Sequence, residues 1–150
     1  MLTYALNHAT EPVILQHLQA CNTQFSPRLS TRVNLNEFAH KIRQYAATFE
    51  AWHNDALAGL VACYYNDPNK ALGFITHVSV LSPYSKQGIA TTLLQHCVTY
   101  GEQQQFATLE LQVQANNQLA IHLYQHFGFY ATTTQQGLMV MKKNIQKAVN

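Results

Sequence analysis

One stretch constrains this chain more than any other. Phe74-Ile75-Thr76-His77-Val78-Ser79-Val80-Leu81 is an apolar run of strand character, and it feeds the punctuated turn Ser82-Pro83-Tyr84-Ser85-Lys86-Gln87-Gly88-Ile89-Ala90. A long helical pattern follows, with Ile89, Ala90, Leu93, Leu94, Cys97, Val98 and Gly101 on one face. A strand that enters a helix through a glycine-bearing turn gathers unpaired backbone N–H groups and the positive end of the helix dipole at one point. That is a place for an anion. The turn is neither a Walker A loop, which needs Gly-Lys-Ser/Thr, nor a dinucleotide fingerprint, which needs three glycines.

The rest of the chain supplies the partners for this unit. Leu2 to Leu6 reads as a first strand, and Thr10-Glu11-Pro12 opens a helix with a hydroxyl N-cap that ends near Cys21 and Asn22. Thr23 to Val33 contains Pro27, lacks periodicity and reads as a long loop, the kind that carries binding residues. Asn34 or Asn36 caps a second helix through Leu35, Phe38, Ala39, Ile42, Tyr45 and Ala46. Thr48 to His53 and Ala56 to Tyr65 form a hairpin turned at Asn54-Asp55, and Leu72 to Leu81 is the next strand.

Beyond the central helix, Leu109, Leu111 and Val113 alternate with Glu110 and Gln112 in a strand. Asn116 or Asn117 then caps a helix that Gly128 stops, and Phe129 to Thr134 with Leu138 to Lys143 closes as a hairpin. The order β-α-α-β-β-β-α-β-α-β-β predicts an α/β fold, a mixed sheet with helices on its faces. Residues 1–150 are expected to make a single domain.

Composition narrows the classes. With 11% charged residues and a formal charge of +2, no basic face for nucleic acid is expected; Lys142, Lys143 and Lys147 read as a solvated C-terminal cluster. Cys21, Cys63 and Cys97 are odd in number and lie in no ligand spacing, so reduced thiols are expected. With no leader and no membrane-length apolar run, the expected setting is the cytoplasm, with no membrane partner. His122 and His126 stand at i, i+4, but no third ligand accompanies them and no metal is expected.

Asn117, Ala120, Tyr124, Gly128 and Phe129 fall in the pattern Asn-x-x-Ala-x-x-x-Tyr-x-x-x-Gly-Phe, after a Leu-Glu-Leu-Gln-Val strand. Together with Ser85-Lys86-Gln87-Gly88-Ile89-Ala90, this resembles the GNAT superfamily of acyl-CoA-dependent N-acetyltransferases, closely over Leu72 to Val140. That family's pyrophosphate loop is Arg/Gln-x-x-Gly-x-Gly/Ala. Here the first position is Ser85, a side chain too short to reach a phosphate but suited to capping the helix.

The resemblance implies acetyl-CoA as co-substrate. Backbone of Val78, Ser79 and Val80 would pair with pantetheine and polarise the thioester carbonyl. The segment Ser85, Lys86, Gln87, Gly88, Ile89 and Ala90 would hold the pyrophosphate. Asn117 would orient the cofactor arm or the last helix, and Tyr124 would protonate the departing thiolate. For the general base, His77 has a suitable intrinsic pKa, with Glu110 or a relaying water as alternatives. Phe25, Arg28, Tyr64 and Tyr65 are expected to line the acceptor site, with Arg32 nearby in sequence. The expected activity is acetyl transfer to a small-molecule primary amine by direct attack in a ternary complex. A protein or peptide amine, or a non-catalytic acyl-CoA-binding module, are the alternatives. The reading leaves room for a homodimer.

Overall fold

The computed structural model describes residues 1–146. Lys147, expected in the basic cluster, lies outside them. The elements run β1 (Leu2–Leu6), α1 (Glu11–Cys21), α2 (Leu35–Tyr45), β2 (Ala47–His53), β3 (Ala56–Tyr64), β4 (Leu72–Val80), α3 (Ile89–Gln103), β5 (Thr108–Gln114), α4 (Gln118–His126), β6 (Tyr130–Gln135) and β7 (Leu138–Asn144). The strands form one mixed sheet in the order β1-β2-β3-β4-β5-β7-β6. Every expected element is present in the expected order. Among the described residues, no helix is long and apolar enough to cross a membrane.

The chain divides into two compact units. One contains Met1–Cys63 and His77–Cys97, the other Tyr64–Thr76 and the chain from Val98 onward.

In the first unit, β1 pairs antiparallel with β2 and β2 with β3, the latter hairpin turning at Asn54, whose φ of 55° is the left-handed conformation asparagine tolerates. A bulge at Ala51/Trp52 shifts the pleat. Ile14 and Leu18 of α1, Phe38, Ala39 and Ile42 of α2, and Leu57, Leu60 and Ala62 of β3 form one buried apolar cluster. Tyr45, expected on the buried side of α2, is exposed instead. On β3, Gly59 lets α3 approach: a Cβ there would sit 2.6 Å from the Ile89 side chain.

Two caps differ in kind. Asn34 accepts from the Glu37 N–H and caps α2 through its side chain. Thr10 precedes α1 with extended backbone, but its hydroxyl makes no capping bond. What fixes the entry to α1 is Glu50 of β2, fully buried. Its carboxylate accepts from the His8 and Ala9 N–H groups, the Thr48 hydroxyl and Trp52 Nε1. Four donor groups around one carboxylate satisfy it without a counter-ion.

In the second unit, β4 pairs parallel with β5 from Leu72↔Thr108 to Ile75↔Leu111, and β7 pairs antiparallel with both β5 and β6. Tyr65 packs against two glycines. A Cβ on Gly73 would lie 2.6 Å from its ring, and one on Gly101 would overlap its hydroxyl. Tyr100 and Phe106 flank the same ring at 5.2 and 4.8 Å.

Candidate active site

The candidate residues of the first unit begin where β4 leaves the sheet. Along β4 the burial alternates: His77 and Ser79 are buried, while Val78 and Val80 are half-buried on the opposite pleat. A 3-10 turn, Ser82–Tyr84, follows. Ser85 closes that turn, its N–H bonding the Ser82 carbonyl at 3.1 Å. Ser85 is therefore not the cap of α3, as its residue type suggested. The helix starts four residues later, and Gly88 receives its first bonds, from the Thr92 N–H and hydroxyl at 3.0 Å each.

Between them the backbone turns left-handed twice, at Lys86 (φ 64°) and Gly88 (φ 73°). Lysine pays a steric cost for that conformation and glycine does not. Nothing lies within 4 Å of where a Gly88 Cβ would be, so the glycine leaves its surroundings open. The N–H groups of Ile89, Ala90 and Thr91 precede the first i→i−4 bond, and by helix geometry have no intrahelical acceptor. A turn of this kind, opening a helix, has the makings of an anion cradle.

The long loop is not featureless. It holds two 3-10 turns, Asn22–Gln24 and Leu29–Thr31, tied to each other where Asn22 Oδ1 accepts from the Ser30 N–H at 2.7 Å. Gln24 clamps the loop to the end of β4. Its Nε2 donates to the Val80 carbonyl at 2.9 Å, and its Oε1 accepts from the Ser82 N–H and hydroxyl at 3.0 Å each. Phe25 lies against His77, ring centroids 5.5 Å apart, with the Arg32 guanidinium 5.9 Å from the Phe25 ring centre. Arg28 is exposed, and its carbonyl accepts from Thr31. Phe25 and Arg28 thus share this loop, whereas Tyr64 and Tyr65 belong to the other unit. Tyr64 is held by a hydrogen bond with Thr76, and Tyr65 has the packing role described above.

Behind the loop, a hydrogen-bonded chain runs through the core. His17 Nδ1 lies 2.7 Å from the Leu57 carbonyl, which only accepts, so that nitrogen carries the proton. His17 Nε2 must then accept, and its partner at 2.6 Å is the Ser79 hydroxyl. Ser79 Oγ in turn accepts from His77 Nε2–H at 2.8 Å. One carbonyl sets the tautomer of both histidines. Burial holds both neutral near pH 7: it pushes His17 down to about 4, and burial, with repulsion from His17 once that is protonated and from Arg32, pushes His77 down to about 3. His77 is thus held within the chain as a donor to the Ser79 hydroxyl. Glu110, the other side chain considered, pairs with Lys142 at 3.7 Å.

The second unit carries Asn117 and Tyr124. Asn117 Oδ1 accepts from the Ala120 N–H at 3.2 Å, so this residue caps α4. Gly128, at φ 90°, ends the helix turn as its residue type requires. Tyr124 is buried with Phe129 edge-on at 6.0 Å, and burial pushes its phenol up to about 12. His122 and His126 are exposed.

The sequence singles out neither His17 nor Gln24, and marks Cys21 only as a helix end and a reduced thiol. The signal for His17 and Cys21 was their i, i+4 spacing, on the same helix side as Ile14 and Leu18.

Comparison with known proteins agrees with this architecture. A sequence profile described as "Acetyltransferase (GNAT) family" matches residues 12–129, and the chain belongs to that family. It is 35% identical over 88 residues to the probable N-acetyltransferase san of Drosophila melanogaster, covering 57% of this chain and 48% of that one. It is 34% identical over 101 residues to N-alpha-acetyltransferase 50 of Danio rerio, covering 66% and 56%. The chain thus spans about half the length of the curated relatives it matches. Arabidopsis thaliana Naa50, solved with the bisubstrate analogue CoA-Ac-MVNAL, superposes with a TM-score of 0.73 at 26% identity, covering 93% of this chain and 97% of that one.

The buried histidines make stability pH-dependent. Both bind protons in the unfolded chain near pH 6.5 but not in the folded one until about pH 4 and 3. Their contribution is complete above pH 6.5 and is lost as pH falls through that window, by up to about 1.4 kcal/mol per pH unit for each histidine. Urea unfolding at pH 7, 6 and 5 should show the midpoint falling steadily. A midpoint flat across that range contradicts the assignment.

Proposed function

We propose that this chain acts as one acetyltransferase domain that moves the acetyl group of acetyl-CoA to the α-amino terminus of a polypeptide. The amine nitrogen attacks the thioester carbonyl, the new C–N bond forms, the C–S bond breaks, and CoA leaves as a thiolate. The ammonium proton lost by the acceptor balances the one gained by the thiolate. Family membership and the left-handed turn at Lys86 and Gly88 support acetyl-CoA as co-substrate, with the N–H groups of Gln87 to Ala90 receiving the pyrophosphate. Backbone of Val78 to Val80 takes the pantetheine arm, the carbonyl being polarised by an N–H there.

The observation that carries the choice of acceptor is the state of His77. Its conjugate acid sits at about 3, so β4 offers no imidazole able to deprotonate an alkylammonium. An α-amine with pKa of about 7.8 is about one-quarter neutral at pH 7.4, whereas a lysine-like amine at about 10.4 is neutral to about one part in a thousand. Chemistry without a strong base therefore favours the α-amine. The likeness to a structure whose bisubstrate analogue couples CoA to Ac-MVNAL supports the same reading, and so does the likeness to an N-alpha-acetyltransferase. Phe25 and Arg28, on the loop that Gln24 clamps, are the residues proposed to meet the acceptor.

The test is product analysis by mass spectrometry with three acceptors: a pentapeptide with a free α-amine, the same peptide blocked at its N-terminus but carrying lysine, and a panel of small alkylamines. Acetylation of the first by at least about 100-fold over the others is expected, given the difference in neutral fraction. Preference for the small amines points to the small-molecule reading. No product from any acceptor, with acetyl-CoA still bound, points to a non-catalytic binding module.

Tyr124 is assigned to the leaving sulfur on the strength of the Asn-x-x-Ala-x-x-x-Tyr-x-x-x-Gly-Phe pattern. With its phenol at about 12, full transfer to a thiolate of pKa about 8.5 is uphill by about 3 to 4 units. Tyr124 thus works as a hydrogen-bond donor to the developing charge. Tyr124→Phe should lower kcat by about 10- to 1000-fold with little change in acetyl-CoA affinity, measured by CoA release and calorimetry. An unchanged kcat removes the residue from that role.

A further inference from the structure

The loop that carries Phe25 and Arg28 is closed on itself and tied to β4 by one amide. Asn22 closes it: its Oδ1 accepts from the Ser30 N–H at 2.7 Å, and its Nδ2 donates to the Ser30 hydroxyl at 3.1 Å. Thr31 donates its hydroxyl and its N–H to the Arg28 carbonyl, at 2.6 and 3.0 Å. Gln24 is the tie, through the Val80 carbonyl, the Ser82 N–H and the Ser82 hydroxyl. From these bonds we infer that Gln24 is a positioning residue for acetyl transfer. It sets the acceptor loop at a fixed place against the end of β4 and the turn that receives acetyl-CoA.

The position demands an amide. The Val80 carbonyl only accepts and the Ser82 N–H only donates, so Nε2 faces the first and Oε1 the second. A carboxylate cannot donate to Val80, an ammonium or guanidinium cannot accept from Ser82, and asparagine is one methylene shorter. Gln24 is also exposed, so its bonds exchange with bonds to water and add little to global stability. A side chain that answers both groups while remaining at the surface is suited to placing a loop rather than to holding the core.

Both contacts fall where the proposed cofactor site begins. The Leu81 N–H bonds the Ala58 carbonyl of β3 at 2.9 Å, so by strand alternation Val80 and Val78 turn their backbone groups away from β3. That side of the strand is the one proposed to take the pantetheine arm, and Gln24 holds its last carbonyl. Ser82 extends the link: its carbonyl accepts from the Ser85 N–H at 3.1 Å, and Ser85 leads directly to left-handed Lys86 and Gly88. Phe25 is the next residue after Gln24, so an acceptor resting on Phe25 and Arg28 meets the thioester at a separation that Gln24 sets. Without the amide the loop shifts against β4, and the near-attack geometry is lost for part of the time. The inference rests on the acetyl-transfer reading for what the two segments hold, and not on the choice of an α-amine as acceptor.

Two variants of the full chain test it, assayed with whichever acceptor the product analysis finds best. Gln24→Met keeps the length of the side chain and removes its polar atoms. It should lower kcat/KM for the acceptor by about 10- to 100-fold, with the acetyl-CoA Kd from calorimetry within about twofold and the melting temperature nearly unchanged. Amide hydrogen exchange over residues 23–32 should be faster in the same variant. Gln24→Glu keeps an acceptor for Ser82 and lacks the donor for Val80 until its carboxyl is protonated. Its kcat/KM relative to the unmodified protein should match that of Gln24→Met at pH 8 and rise as pH falls toward 5, the acceptor's own ionisation cancelling in the ratio. An unchanged kcat/KM or unchanged loop exchange in Gln24→Met, a loss matched by equal weakening of acetyl-CoA, or a Gln24→Glu ratio flat with pH would each overturn the inference. A preference for alkylamines contradicts the α-amine reading alone, because Gln24→Met is then assayed with the alkylamine; no turnover with any acceptor contradicts both.

Discussion

The hydroxyl of Ser79 is the point on which the first unit depends. It accepts from one histidine and donates to another, so that α1, β3 and β4 are joined by a single proton order running from His77 to the Leu57 carbonyl. A buried polar network is favourable only when every member is satisfied, and here each assigned donor has an acceptor. Because β4 alternates with period two, placing His77 and Ser79 on the buried side places Val78 and Val80 on the other. The histidine chain thus fixes which backbone and which side chains β4 offers. Glu50 does the same for the entry to α1, with four donor groups on one carboxylate.

The same burial that stabilises this network shapes the chemistry. A histidine on β4 at its ordinary pKa would be a serviceable base; at about 3 it is not. On the proposed reading, the burden of deprotonation falls on the acceptor, and an amine that is already partly neutral carries it best. Tyr124 follows the same rule in the other direction: burial lifts its phenol to about 12 and makes it a donor of hydrogen bonds more than of protons.

Much of this was legible in the sequence, because it depends on local patterns. Strand, turn and helix from Leu72 to Gln103 follow from apolar spacing and one glycine, and Asn117 and Gly128 mark the ends of α4 by residue type. Side-chain convergence was not legible. His17, Cys21 and His77 meet only because α1 packs on β4, and their separations of 56 to 60 residues carry no signal. Ser85 shows how residue type alone misleads: two left-handed residues intervene before α3, so the serine closes a 3-10 turn. Gln24, in a loop without periodicity, holds that loop through bonds to the backbone of β4 and the turn after it, which no sequence pattern encodes.

The central claim is that the acceptor's own ionisation, rather than a protein base, gates acetyl transfer. The most direct measurement is the pH dependence of kcat/KM for a peptide with a free α-amine, between pH 6 and 10. The account predicts a rise of about tenfold per pH unit at low pH, levelling near the peptide's own pKa of about 8, and moving with that pKa when the first residue is changed. An inflection near 6.5 that stays in place whatever the acceptor would reveal a titrating protein base and contradict it.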